Sequence, residues 1–512
     1  MSEVLSEIPN TELGIEQIGD QSFKFKFVLF NSDDEFLYLR KGAIKTLELH
    51  DDMLKWYHYG YADISNPNNV LDKAHTLRDR FGKDVTQNFK FRNDNQMFIY
   101  FFIEPYLEQI PGGETLNSEL FTMEFIFNVK EIKDIPGDSE DDRIKRLIFE
   151  DQRHYFMKTM MSTYTTAPLY ERLNKDKDKS KIADDLTEQD GEVPTGLAIK
   201  DLLTYALGDS IKFSNFDVGN YTTQYNTPTD ATYEYDLNIL LGRHAASGER
   251  RECPCFLRTN RFVRDNEFSL IPLYDIFDLA YNKEKKASGP FMIERFLLSN
   301  QGTQGNSQGE PPKATTYFTD QETLHFPDYS VISDYQFEDV QNIVNSTNYM
   351  PRESHNYDIE SGTFHVRFVT ANQLNDEFKT NLSSKVAGSD ELPYNTNSEY
   401  YTNEDRIIMH TTYSDPDQAR IYAKNTAIQH MLFNGRRLTF TCKGTTLRRS
   451  TRFIGIEHPD KADDSQFDKK ILGQHLVLRA THTFTEEGYT NTLVTTTVNN
   501  TSTLNQQTGE IT

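Results

Sequence analysis

The chain has 512 residues, 54 of them basic and 78 acidic, for a formal net charge of −24. That length predicts about two to four domains, and the acidic balance argues against a protein whose main task is gripping nucleic-acid phosphates. Hydrophobic residues make up a lean 37%, but aromatics reach 12%, which separates the chain from disordered sequences. Three cysteines give no disulfide framework and suit a reducing compartment. The opening MSEVLSEIPNTELGIEQ has neither a basic nor an apolar leader segment. Apolar runs such as Met97–Ile103 fall far short of the ~18–20 residues that cross a bilayer. A protein made in the cytoplasm, with no membrane partner, is expected.

In chain order, residues 1–21 lack periodicity and read as a flexible arm. Phe23, Phe25, Phe27 and Leu29 then alternate with lysines, the mark of a half-buried strand. Further strand signals lie at Phe36–Arg40, Ile44–Leu49 and Phe98–Ile103, and in the stripe Phe121, Met123, Phe125, Phe127, Val129. Short strands separated by turns predict a first small β-barrel over 22–166. The charged run at 175–192 reads as a solvated loop. An α/β domain is expected over 167–285. Ile199, Leu202, Leu203, Ala206 and Leu207 give one helix between Thr195 and Gly208, and a second runs from about Thr229 to Gly242. Strands at Cys255–Leu257 and Glu267–Leu270 and a helical stretch at Tyr274–Tyr281 follow. Residues 286–360 read as an irregular bridge holding the polar Gly/Pro loop 301–316. A second β-barrel is expected over 361–500, with an inserted helix at about 414–434 and a tail at 501–512. In its long closing strand Leu476, Leu478, Ala480, His482 and Phe484 share the apolar face, opposite His475. The fold class is thus α+β, mainly β: two small barrels of similar fold around an intervening α/β domain, with an inserted helical segment.

Chemistry-bearing patterns are weak. Cys253-Pro254-Cys255 is the best metal candidate, but no second ligand pair accompanies it and Cys442 is the only other thiol, so these read as structural thiols. His482 reads as a core histidine. Gly302, Gly305 and Gly309 sit in a polar loop without a preceding strand, and no H-E-x-x-H, G-x-S-x-G or phosphate-loop pattern occurs. Glu486-Glu487 and Asp463-Asp464 flank strands as solvated turns; a glycosidase pair is neither singled out nor removed by sequence. Arg436, Arg437, Arg448, Arg449 and Arg452 locally reverse the charge, and either meet an acidic partner surface or coat a barrel. No catalytic, cofactor or metal residues are assigned.

The C-terminal run has its own grammar. Arg437-Leu438-Thr439-Phe440-Thr441-Cys442-Lys443-Gly444 is followed by Arg452-Phe453-Ile454-Gly455-Ile456. After an acidic spacer come Ile471-Leu472-Gly473-Gln474-His475-Leu476-Val477-Leu478, then Thr481-His482-Thr483-Phe484 and Gly488-Tyr489-Thr490-Asn491-Thr492-Leu493. This series resembles the closing barrel of the baseplate hub proteins of contractile-tailed bacteriophages, a family related to the hub part of type VI secretion spikes. Phe121–Ile135 with Met160–Thr163, the 195–207 and 229–242 helices, and Phe256–Arg261 with Phe268–Leu273 are similar to its first barrel and middle domain.

The resemblance implies a structural virion protein of the tail baseplate, assembled in the bacterial cytoplasm, and not an enzyme. It implies a homotrimeric hub joining a threefold central spike to the sixfold tail tube, with tube or tube-initiator proteins on one side and wedge proteins at the periphery. DNA would pass through the ring without specific binding, past an acidic wall, leaving the 436–452 arginines for protein contact. The alternatives are a tail-associated cell-wall hydrolase and the base of a contractile secretion-system spike.

Overall fold

Phe23, Phe25, Phe27 and Leu29 all lie on one face of a long strand, and that face is buried. The structure, a computed structural model, describes residues 14–32, 36–66, 75–78, 84–87, 96–106, 121–136, 143–175, 192–219, 222–244, 254–261, 266–273, 275–276, 293–298, 323–324, 331–332, 334–338, 352–358, 363–369, 407–410, 437–457 and 473–497. The fold is mainly β, with a large and chiefly antiparallel sheet.

The first unit comprises β1 (Gly14–Ile18), β2 (Gln21–Asn31), β3 (Phe36–Leu39), β4 (Ile44–Asp52), β5 (Tyr59–Ser65), β6 (His75–Arg78), β7 (Asp84–Gln87), β8 (Met97–Pro105), β9 (Met123–Pro136) and β10 (Arg143–Asp151). Its strands run β1-β2-β8-β9-β10-β5-β4, with β3 on β2, while β6 and β7 pair apart as a hairpin. Gly14–Ile18, inside the expected arm, pairs along β2 from Gly14↔Phe25 to Ile18↔Gln21. Side chains from β1–β5 and β8–β10 share one apolar cluster, so the sheet wraps around it. Each fully buried Phe there (Phe23, Phe27, Phe101, Phe127, Phe149) contributes about 1.5–3 kcal/mol.

The middle unit holds α1 (Gln152–Thr159), α2 (Ala167–Lys175), β11 (Val193–Pro194), α3 (Thr195–Leu207), β12 (Lys212–Phe216), β13 (Thr222–Thr223), α4 (Tyr233–Arg243), β14 (Cys255–Thr259) and β15 (Glu267–Pro272). The periodic residues of α3 predicted its buried side: Ile199, Leu202 and Leu203 are fully enclosed, and Gly208 (φ 93°) ends the helix. α4 starts at Tyr233, where the Thr232 hydroxyl accepts from the Tyr235 N–H at 3.3 Å. The β12-β15-β14 sheet lies against both helices, and their common core also takes Trp56, Met157 and Tyr164 from before residue 167. Buried Asp236 of α4 accepts hydrogen bonds from Tyr225 (2.6 Å), Thr227 (2.7 Å) and Ser162. Ser162 thereby fixes the segment after α1 to α4, while the Thr163 hydroxyl meets the Tyr205 hydroxyl of α3 at 3.2 Å.

The third unit contains β16 (Ile293–Leu298), β17 (Thr323–Leu324), β18 (Val331–Ile332), β19 (Asp334–Glu338), β20 (Arg352–Asp358), β21 (Thr363–Val369), β22 (Ile407–His410), β23 (Arg437–Lys443), β24 (Phe453–Glu457), β25 (Gly473–Thr485) and β26 (Tyr489–Thr497). Residues 286–360, expected as an irregular bridge, instead supply strands: β16 runs parallel to β24, β17 and β18 run parallel to β16, and β19 pairs β23. β20–β22 form a separate sheet. The 414–434 helix, most of Tyr274–Tyr281, the 301–316 loop with its glycines, most of the 175–192 loop, Cys253, Arg436, Asp463-Asp464 and the 501–512 tail lie outside the described residues.

β25 corrects the expected side-chain alternation. Its pairing with β26 slips between Val477 and Arg479, and His475, Val477, Ala480, His482 and Phe484 oppose Thr497, Thr495, Leu493, Asn491 and Tyr489 in turn. His475 and His482 therefore share a face, because the extra residue at Leu478 reverses the parity of the strand. The same strand then pairs β4, from Arg479↔Asp52 to Thr485↔Thr46, which makes one sheet of the first and third units. Val477 and Ala480 belong to the core of the third unit, whereas Phe484 and Tyr489 enter that of the first.

Candidate functional site

The most unusual chemistry among the described residues is a buried charged joint where all three units meet. On β4, strand parity that turns Leu47 and Leu49 inward turns Asp51 inward too, opposite Ala480. Asp51 is 2% exposed, so its charge must be matched. Arg258 of β14 binds it through Nη2, and the same guanidinium donates Nη1 to the Asp52 carbonyl at 2.7 Å. Arg261 reaches it at 3.4 Å, and the Ser450 hydroxyl donates to it at 2.7 Å. Burial acts to raise the Asp51 pKa, but Arg258, with His58 and Arg261, outweighs it and holds the carboxyl well below the usual range.

Arg261 also donates to the carbonyls of Thr446 and, at 2.5 Å, Arg448. It thereby stitches the middle unit to the 443–452 loop of the third. In that loop Arg448 forks onto Glu294 of β16 with contacts of 2.8 and 3.2 Å, both side chains being buried. Its Nη1 meets Cys442 Sγ at 3.0 Å and Asn491 Oδ1 at 3.1 Å. Burial pushes the Cys442 thiol up to about 11, so it is a protonated core thiol. His482 receives the Asn491 amide (3.0 Å) and the Tyr489 hydroxyl (2.7 Å) on Nδ1, and burial followed by the Arg261 charge keeps the imidazole neutral.

The arginine cluster is therefore divided, and its expected role in partner contact is corrected for Arg448, whose charge is consumed inside the fold by Glu294. Arg449 and Arg452 are half-buried beside it, while Arg437 pairs Glu338 at 2.6 Å near the surface. Sequence reasoning missed Asp51, Arg258, Arg261 and Glu294 altogether. Asp51-Asp52 at a strand end resembles a solvated turn, and its partners lie about two hundred or more residues away. Glu486 does sit on a turn, pairing Lys45 at 3.3 Å with its side chain 56% exposed.

A second charged contact ties α1 to α4. His154 Nδ1 faces Glu150 at 3.2 Å and Nε2 faces Glu234 at 2.7 Å, with Tyr57 stacked at 3.4 Å. Two carboxylates require two N–H donors, hence an imidazolium with no nitrogen left to act as a base. Burial opposes that charge, but the two glutamates outweigh it and raise the pKa. The stabilisation is complete below the ordinary histidine pKa and is lost as pH rises through the higher folded value. The denaturant midpoint of the native chain minus that of His154→Gln, measured across about pH 5–9, is expected to shrink toward alkaline pH. A difference that grows instead contradicts the assignment.

Cys255 lies at the start of β14, close to His244 at the end of α4 and Asp217 just after β12, with one donor atom from each within 4.8 Å of the others.

No protein-family model and no curated protein matches the chain. Solved structures do. The 43 kDa tail protein of prophage MuSo2 from Shewanella oneidensis is similar over 92% of this chain and 97% of its own, at 8% identity and TM-score 0.44. The tail protein from Neisseria meningitidis MC58 is similar over 92% and 96%, at 8% identity and TM-score 0.42. A Francisella PdpA-VgrG complex is similar over 95% of this chain and 53% of that one, at 10% identity and TM-score 0.44. Two of these are tail proteins and the third is a PdpA-VgrG complex.

Proposed function

We propose that the chain is a structural hub subunit of a phage-type tail baseplate, three copies closing a ring between a central spike and the tail tube. The observation that carries this reading is the β4–β25 ladder. It fuses two β units edge to edge, so three copies would set six β units around one axis. Such a ring could match a threefold spike to a sixfold tube. The buried joint supports the same reading, because a subunit that transmits load between neighbours needs its own units held at a fixed angle. The excess of carboxylates suits a channel through which DNA slides without adhering.

Cyclic closure needs a heterologous patch on each copy. Met160 and Met161, following α1, are 46% and 53% exposed, with Tyr205 at 58% and Tyr235 at 48%. The Tyr205 and Tyr233 rings lie 6.1 Å apart, and the Tyr233 N–H donates to the Met160 carbonyl at 3.4 Å, so α3, the start of α4 and the residue after α1 come together at this surface. Native mass spectrometry of the purified chain is expected to give three times 59.4 kDa. Met161→Asp with Tyr205→Asp should give single chains with an unchanged circular dichroism spectrum. A native chain that remains single at assembly concentrations contradicts the ring, and a lytic band on host peptidoglycan would favour the hydrolase reading.

A further inference from the structure

The geometry points to a transition-metal site in the middle unit, formed by Asp217, His244 and Cys255, with zinc the best-suited ion. The donors come from three separate elements: the exit of β12, the C-terminal end of α4 and the first residue of β14. One carboxylate oxygen, one imidazole nitrogen and one sulfur lie within 4.8 Å of one another. His244 Nε2 and Asp217 Oδ1 are 3.1 Å apart, and the Gly219 N–H holds that same oxygen at 2.8 Å. Asp217 is further fixed by its backbone N–H, which donates to the Leu270 carbonyl at 3.1 Å.

The spacing suits one ion. Zinc bonds of ~2.0–2.3 Å at tetrahedral angles put donor pairs about 3.3–3.6 Å apart. The His–Asp pair would open by a few tenths of an ångström and the thiol would close in. The His244 side chain is fully enclosed and Asp217 is 9% exposed, so these two donors are held by the fold. An imidazole, a thiolate and a carboxylate together favour zinc over calcium or magnesium, which take oxygen donors. On binding, the Cys255 thiol loses its proton to solvent and a sulfur–metal bond forms. Three protein donors leave the fourth tetrahedral position to water or to a further donor. Sequence spacing concealed the site, because the partners of Cys255 are not a second cysteine pair.

The test uses the untagged full chain, stripped with a chelating resin and titrated with zinc chloride or cobalt chloride. One zinc per chain should survive gel filtration, and cobalt should give a sulfur-to-metal charge-transfer band with tetrahedral visible bands. Cys255→Ser should lose the charge-transfer band, and His244→Gln or Asp217→Asn should weaken zinc binding at least tenfold. The zinc-dependent rise in melting temperature should vanish in all three. If the native chain retains no stoichiometric zinc and shows no thiolate band with cobalt, the site does not exist, whatever the variants do. Unchanged zinc affinity in folded His244→Gln or Cys255→Ser would equally overturn it. Neither result bears on the hub reading, which rests on the β4–β25 ladder and on assembly mass.

Discussion

Asp51→Ala is expected to destabilise the chain by about 3–5 kcal/mol, the range for leaving buried charge unmatched. Arg258 and Arg261 would both lose their carboxylate partner, and the Ser450 hydroxyl its acceptor. Asp51→Asn keeps the size and one acceptor oxygen but leaves the guanidinium charges uncompensated, so it should recover only a small part. The damage should be shared by all three units, since Asp51 belongs to β4, the two arginines to the middle unit and Ser450 to the loop after β23. Denaturant titration followed by circular dichroism checks the size of the loss. Proteolysis should show new cleavage in the 443–452 loop, which loses its anchor. Because the folded pKa of Asp51 is depressed, its contribution is complete above about pH 4 and disappears only as pH falls below that. A loss below about 1 kcal/mol for Asp51→Ala would mean that the joint does not hold the units together.

Gly60→Ala should be nearly as harmful, at about 3 kcal/mol or more. Gly60 of β5 pairs Leu49 of β4, and a Cβ added there would stand 1.9 Å from the Glu48 carbonyl oxygen. The obstacle is backbone, so relief requires the β4–β5 ladder to separate. β4 is also the strand that joins β25, and the fault would spread into the junction of the two β units. Gly42→Ala serves as the control: a Cβ there meets nothing within 4 Å, and the change should stay within ~0.5 kcal/mol. Equal melting temperatures for the two variants would contradict the packing described for this ladder.

Much of the local structure was legible in the sequence. The phenylalanine stripes of β2 and β9 record which face lines the large apolar cluster, although Met123–Asn128 of β9 are buried on both faces, with Ile126 in a second cluster beside Val28 and Tyr100. α3 and α4 were legible in the analogous way at helical spacing, with Gly208 marking an end, whereas the start of α4 lies at Tyr233 behind the Thr232 cap and not near Thr229. What was concealed depends on contacts distant in sequence. β16 carries Glu294 at an inward position, which spoils its apolar pattern, and the compensating Arg448 is 154 residues away. The bulge at Leu478 leaves no mark in composition, yet it decides which histidines share a face. The joint follows the same logic: Asp51, Arg258 and Arg261 each look like surface charges until the fold places them together. The arginines at 448–452 were visible as a cluster, but their direction was not, since a guanidinium can face solvent or a buried carboxylate with equal sequence economy.

Electron microscopy of the intact tail particle, with an antibody fragment bound to this chain, tests the central claim most directly. The hub reading predicts three fragments around the axis at the tip of the tail, between the tube and the spike, and none along its length. Fragments bound along the tail or on the capsid, or particles that complete their tails without the chain, would contradict it.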